Sequence, residues 1–170
     1  MIPPSESFEV KLLSERKAVE KLAIIREDLR RDVAERFEHR AKPCSSCTTP
    51  GACCLDEHFV NVRISRLEAA AIRQAVMDLA EEARVGVETR LSAIEPQAEF
   101  YACPLYQTTV GCLVHDTAKP LPCIVHACYE RKEDLPPDEL LAGGEAAIDS
   151  LNRRVYGRSD RLIPIHAALR

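Results

Sequence analysis

The 170-residue chain has no tryptophan, only four phenylalanines and four tyrosines, two methionines and six glycines. With so few rings, any core must be built from Ala, Leu, Ile and Val. No apolar run approaches the roughly 18 residues that a membrane-spanning helix needs, so no membrane association is expected. Met1-Ile2-Pro3-Pro4-Ser5-Glu6-Ser7-Phe8-Glu9 lacks a basic stretch followed by an apolar one, so no secretory signal is read there and a cytoplasmic protein is expected. The net charge of −4 gives no broad attraction to nucleic acid or anionic lipid, and neither is expected as a partner. G-x-G-x-x-G, G-x-x-x-x-G-K-[ST], H-E-x-x-H and G-x-S-x-G are all missing, which removes the common nucleotide-binding, zinc-protease and serine-hydrolase signatures. There is no internal repeat and no low-complexity tract.

Cysteine, by contrast, is plentiful and confined to two groups. Cys44, Cys47, Cys53 and Cys54 fall within eleven residues of a Ser-, Thr-, Pro- and Gly-rich segment that favours turns. Cys103, Cys112, Cys123 and Cys128 follow after an interval of 48 residues. In a reducing compartment such clustered thiols point to metal ligation or redox chemistry rather than to four disulfides. The C-x2-C pair Cys44/Cys47 lets two sulfurs reach one metal from a tight turn, a device shared by zinc and iron–sulfur sites. Neighbouring Cys53 and Cys54 point to opposite sides of an extended chain, so they either serve different sites or one of them packs as a small apolar group. A site made from one group alone would leave the other unpaired, so the two groups are expected to meet. All eight cysteines are candidate metal ligands, and the expected cofactor is Zn2+ or an iron–sulfur cluster of the four-iron type. Among the remaining side chains, His115 and His126 are placed near the second group in supporting roles, and His39, His58 and His166 in structural or surface roles. Lys119 is placed to offset thiolate charge, and Tyr101, Tyr106 and Tyr129 to shield the centre.

The rest of the chain reads as one mainly α domain spanning residues 1–170. Val19, Leu22, Ile25, Leu29, Val33 and Phe37 recur at helical spacing and predict a helix over 14–41, capped by Ser14 and ended by Pro43. Interleaved acids and bases on its other face mark a solvated surface. Val62 and Ile64, with Phe59 or Val60, suggest a short strand. Ser65-Arg66-Leu67-Glu68 fits a capping box and opens a second helix through Leu79 and Ala83, with a break expected near Gly86 and continuation to Pro96. Residues 98–130 have no sustained period and read as an irregular loop. A third helix is expected over 137–156 with Gly157 as its C-cap, followed by an apolar tail that docks. The picture is a small helical domain whose two irregular cysteine-rich loops, within 44–128, converge on a metal or iron–sulfur centre.

The run C-x2-C-x5-C-C, then Tyr101-Ala102-Cys103-Pro104-Leu105, Gly111-Cys112-Leu113-Val114-His115 and Lys119-Pro120-x2-Cys123-x4-Cys128, resembles the CxxCxxCC cysteine-cluster proteins, the YkgJ-type family described as zinc- or iron-chelating. The chain departs from the family pattern in having five residues before the Cys53-Cys54 pair, Leu105 directly after Pro104, His115 in place of Tyr and Lys119 in place of Arg. The resemblance implies a chelated metal with a structural or redox role. A larger relative, flagellin lysine N-methylase, carries a similar cluster associated with an iron–sulfur centre. An iron–sulfur-dependent enzyme, a metal chaperone and a zinc-stapled interaction module are the rival readings.

Overall fold

The computed structural model describes residues 12–43, 46, 48, 51–55, 62–159 and 161–170, with the backbone only at Ala52. Helix α1 (Glu15–Arg36) starts where the Ser14 hydroxyl accepts the Lys17 amide. Its buried stripe is Ala18, Leu22, Arg26, Leu29 and Val33. That stripe differs from the expected one, because Arg26 rather than Ile25 occupies the inward position. The helix also stops earlier than 41. One 3-10 turn at Glu38–Arg40 follows, and residues Ala41–Lys42 form strand β1, paired antiparallel with β5 (Cys128–Tyr129).

Strand β2 (Arg63–Ile64) covers the end of the expected strand; residues 56–61 lie outside the described set. Helix α2 (Arg66–Met77) opens with the expected capping box. Ser65 Oγ accepts the Glu68 amide at 3.2 Å, and a Glu68 carboxylate oxygen accepts the Ser65 amide at 2.9 Å. A further first-turn amide, that of Leu67, donates to Asn152 of the last long helix. Three of the donors at this helix start, which no intrahelical carbonyl can satisfy, therefore have side-chain partners.

The break expected at Gly86 falls elsewhere. Helix α2 ends at Met77, the Asp78 and Leu79 amides close its last turn, and α3 (Glu81–Ala93) runs straight through Gly86. Segment 98–130 is irregular as expected, but it contains a hairpin, β3 (Tyr106–Gln107) with β4 (Gly111–Cys112), and a short helix α4 (Leu121–Val125) before β5. Helix α5 (Asp138–Tyr156) ends on Gly157 at φ +76°, the left-handed C-cap predicted. In the tail, β6 (Ile163–Pro164) pairs with β2, and α6 (Ile165–Ala168) buries Ile165 and Ala168.

Two apolar clusters hold these elements. One joins α1, α2, α4 and α5 through Leu22, Leu29, Leu67, Leu121, Ile148 and Leu151. The other gathers Ile64, Ile72, Val87, Leu105, Val114 and Ile165, and against it pack the partly buried Cys103, Cys112 and Cys123. Helix α2 faces both, with Leu67 and Ala71 on one side and Ala69 and Ile72 on the other. Among the described residues no helix is long and apolar enough to cross a membrane.

The glycine pair in α5 makes a local test of this packing. A Cβ at Gly144 would stand 2.6 Å from Leu121 Cδ2, whereas among the described residues one at Gly143 meets nothing within 4 Å. Gly143→Ala should raise stability by up to about 1 kcal/mol through helix propensity. Gly144→Ala should lose about 1–3 kcal/mol by overpacking against α4. Urea unfolding of the two variants checks the sign; equal effects would refute the close α4–α5 approach.

Candidate metal centre

The first cysteine loop reaches the second through the backbone. The Cys103 amide donates to the Cys54 carbonyl at 2.8 Å. Nearby, Gly51 adopts φ +82°, and a Cβ there would lie 2.2 Å from the Tyr106 ring. Only glycine both accepts that backbone conformation and lets the ring lie so close. Residues 51–54 and 103–106 are thus seated on each other. The β3–β4 hairpin then places Cys112 directly across from Tyr106, three residues after Cys103, and the Leu113 amide returns to the Leu105 carbonyl at 2.9 Å. Helix α4 contributes Cys123 from its first turn, with the Cys123 amide bonded to the Pro120 carbonyl.

These contacts gather Cys53, Cys54, Cys103, Cys112 and Cys123 into one region in which the thiols act on one another. A hydrogen bond with Cys53, then burial, then the charges of Cys103, Cys53 and Cys112 push the Cys54 thiol far above the ordinary cysteine range. Burial pushes Cys103 up to about 11, and Cys112 adds to the shift. Cys112 and Cys123 also rise, chiefly through burial, while the Lys119 ammonium pulls both down. Burial and mutual repulsion disfavour joint ionisation of these thiols, and a cation among them would offset that cost.

Among the described residues, no group of three or more His, Cys, Asp or Glu side chains is arranged to hold a metal ion. Cys44 and Cys47 lie outside those residues, as does His58. The chemistry of the donor set does fit a thiolate-bound metal: soft sulfur ligands, five of them partly buried, and a Lys119 charge acting on Cys112 and Cys123.

Cys128 is exposed and pairs across β5–β1 with Lys42. The register brings it beside the strand that leads into the first loop. His115 points out to solvent and bonds Asp116 at 2.8 Å, while the Arg30 guanidinium of α1 donates to the His115 carbonyl. His126 follows α4 directly; burial and then Lys119 hold its imidazole below the usual range, favouring the neutral ring. His166, expected in a structural role, is buried edge-on against Tyr101 at 4.2 Å between centroids, with one ring nitrogen 3.4 Å from the Pro96 carbonyl. Burial and Cys103 raise the Tyr101 hydroxyl to about 12, so it is a neutral wall of the site.

One component was not visible in the spacing. Glu68, which closes the α2 capping box with one oxygen, accepts the Leu121 amide at 3.2 Å with the other. The same buried carboxylate therefore fixes the start of α4, two residues before Cys123. Buried Arg26 of α1 supplies its opposing charge. The S-x-x-E motif signalled the cap and gave no sign of the second bond, which spans 53 residues.

The elements define a small, mainly helical protein. No protein-family model, curated protein or solved structure matches the chain.

Proposed function

We propose that the protein binds a metal through cysteine thiolates, as Zn2+ or as an iron–sulfur cluster, and that the bound centre has a structural or redox role. The observation that carries this reading is the meeting of the two loops, in which the Cys103 amide bonds the Cys54 carbonyl and five thiols come within each other's electrostatic reach. Eight clustered cysteines with Lys119 alongside are the donor set and charge balance such a centre needs. The metal supplies the positive charge that lets the thiols ionise. The chain's part is to bring Cys54 and Cys103 together, to hold Cys123 through Glu68 and α4, and to keep water away with Tyr101 and the adjoining apolar cluster. Binding a metal releases thiol protons and orders the loops, so part of the folding free energy becomes metal-binding free energy.

The test is purification without oxygen, with visible absorption and iron, sulfide and zinc content measured together. Matched iron and sulfide with broad absorption near roughly 400 nm identify a cluster. One or two zinc ions per chain and no colour identify a zinc site. A chain that carries neither, and takes up neither on reconstitution, overturns the reading.

A further inference from the structure

Helix α3 sends one cation toward the thiols. Arg90, in its last turn, donates from Nε to the Pro104 carbonyl at 2.8 Å, which sets the guanidinium beside the residue that follows Cys103. Its Nη2 is shielded from solvent and, among the described residues, has no hydrogen-bond partner. Its Nη1 lies back over Gly86, one turn earlier, where a Cβ would come within 3.2 Å of it. Gly86 is thus a gap in the helix surface over which the guanidinium folds, and its cost in helix propensity gains a reason.

A buried guanidinium N–H left without an acceptor costs more than a neutral group left in the same way. The Pro104 carbonyl takes only one of the five N–H groups that arginine carries. Cys103 immediately precedes the Pro104 carbonyl that Arg90 holds, and the Arg90 charge favours its thiolate. Lys119 serves Cys112 and Cys123 in the same sense from the other segment.

We infer that Arg90 is a positioning residue of the metal centre, its unpartnered Nη2 reserved for the metal-bound sulfur of Cys103. The inference rests on the metal-binding reading above. A sulfur bound to metal keeps partial negative charge and accepts such a bond, and supports of this kind hold ligands in place and tune affinity. The alternative is a plain brace, in which Arg90 only ties α3 to the Pro104 carbonyl. The two differ in what they predict. A brace contributes to the metal-free protein; a positioning residue contributes mainly once metal is bound.

The experiment compares the wild-type chain with Arg90→Gln, Arg90→Lys and Gly86→Ala, measuring Zn2+ affinity by chelator competition and the urea midpoint of the metal-free protein. Arg90→Gln should weaken Zn2+ binding by about 10–100-fold. Arg90→Lys keeps the charge, loses the fork and should recover part of that loss. Gly86→Ala leaves the arginine in place but crowds its head; it should weaken Zn2+ binding a few-fold while holding or raising metal-free stability. That opposition of signs is not expected of a brace. Affinities for all three variants within about twofold of wild type, with metal-free stability lowered by Arg90→Gln, would make Arg90 a brace and overturn the inference. A wild-type chain that binds neither zinc nor iron overturns the metal reading and this role with it.

Discussion

Replacing Cys103 with serine should weaken metal binding by about 100-fold or more, with little change in the metal-free protein. The magnitude follows from dividing the ~10–16 kcal/mol that closed zinc sites contribute among four thiolates, roughly 3 kcal/mol each, where every 1.4 kcal/mol is tenfold. Cys103 is the strongest choice because its backbone amide holds the first loop while its thiol is electrostatically coupled to Cys112 and Cys123. Serine is nearly isosteric, keeps the amide bond to Cys54, and should leave α1, α2 and α5 intact. Cys112→Ser and Cys123→Ser should behave alike. Cys128→Ser should cost less, because Cys128 is exposed on the β1–β5 pair. Metal content per chain, with the urea midpoint in the presence and absence of metal, reads all four variants. Unchanged metal content in Cys103→Ser would remove Cys103 from the ligand set; an equal loss in Cys128→Ser would show that both regions belong to one site.

The second large effect should come from Glu68. Glu68→Ala removes the acceptor for the Ser65 amide, the Ser65 hydroxyl and the Leu121 amide, and leaves the Arg26 guanidinium buried without its counter-charge. Breaking such an arrangement costs about 3–5 kcal/mol. Glu68→Gln keeps one acceptor oxygen but turns an NH2 toward donors, and should cost about 1–3 kcal/mol. The pH dependence carries its own sign. Burial raises the Glu68 carboxyl above its ordinary value, against the pull of its hydrogen bonds and Arg26. A raised carboxyl means the folded chain binds the proton more tightly than the unfolded one. Its contribution to stability is therefore fully present below the unfolded carboxyl value near 4.3 and is lost as pH rises through the folded value. Glu68→Gln should abolish that slope, and unfolding between about pH 4 and 7 measures it. A Glu68→Ala loss under about 1 kcal/mol would contradict the three-donor arrangement.

The parts of this fold that were legible are the ones decided locally. Ser14, the Ser65–Glu68 box and Gly157 each act within one helical turn, and each sits where the residues predicted. The two thiol groups were equally plain, because their residue type and spacing carry the chemistry. What the sequence concealed is decided across the chain. Arg26 reads as a surface charge until Glu68 stands opposite it. Gly86 reads as a helix breaker, whereas the chain bends at Asp78–Ala80, a stretch without glycine or proline, and the glycine serves Arg90 instead. The helix expected to reach 41 gives up its end to a two-residue strand whose partner lies at 128–129. Such short pairings have no periodicity of their own, so nothing in the local pattern announces them. The place of Cys128 on that pair was hidden with it.

The β1–β5 pair also alters the polymer physics of the molecule. Ala41 and Tyr129 are bonded partners, so the chain leaves helix α1 and returns toward α5 at the same place, and everything between is a closed ring with both ends tied. Closing a flexible ring of nearly ninety residues costs ~4 kcal/mol or more in chain entropy. The clasp and the helices beneath it meet that cost in the protein fold itself. Cys44 through Cys123 all fall within that ring, so a metal bound by them would order only spans inside a loop already shut. Opening the clasp, which also carries Cys128, would return that entropy to the chain and should loosen such a metal.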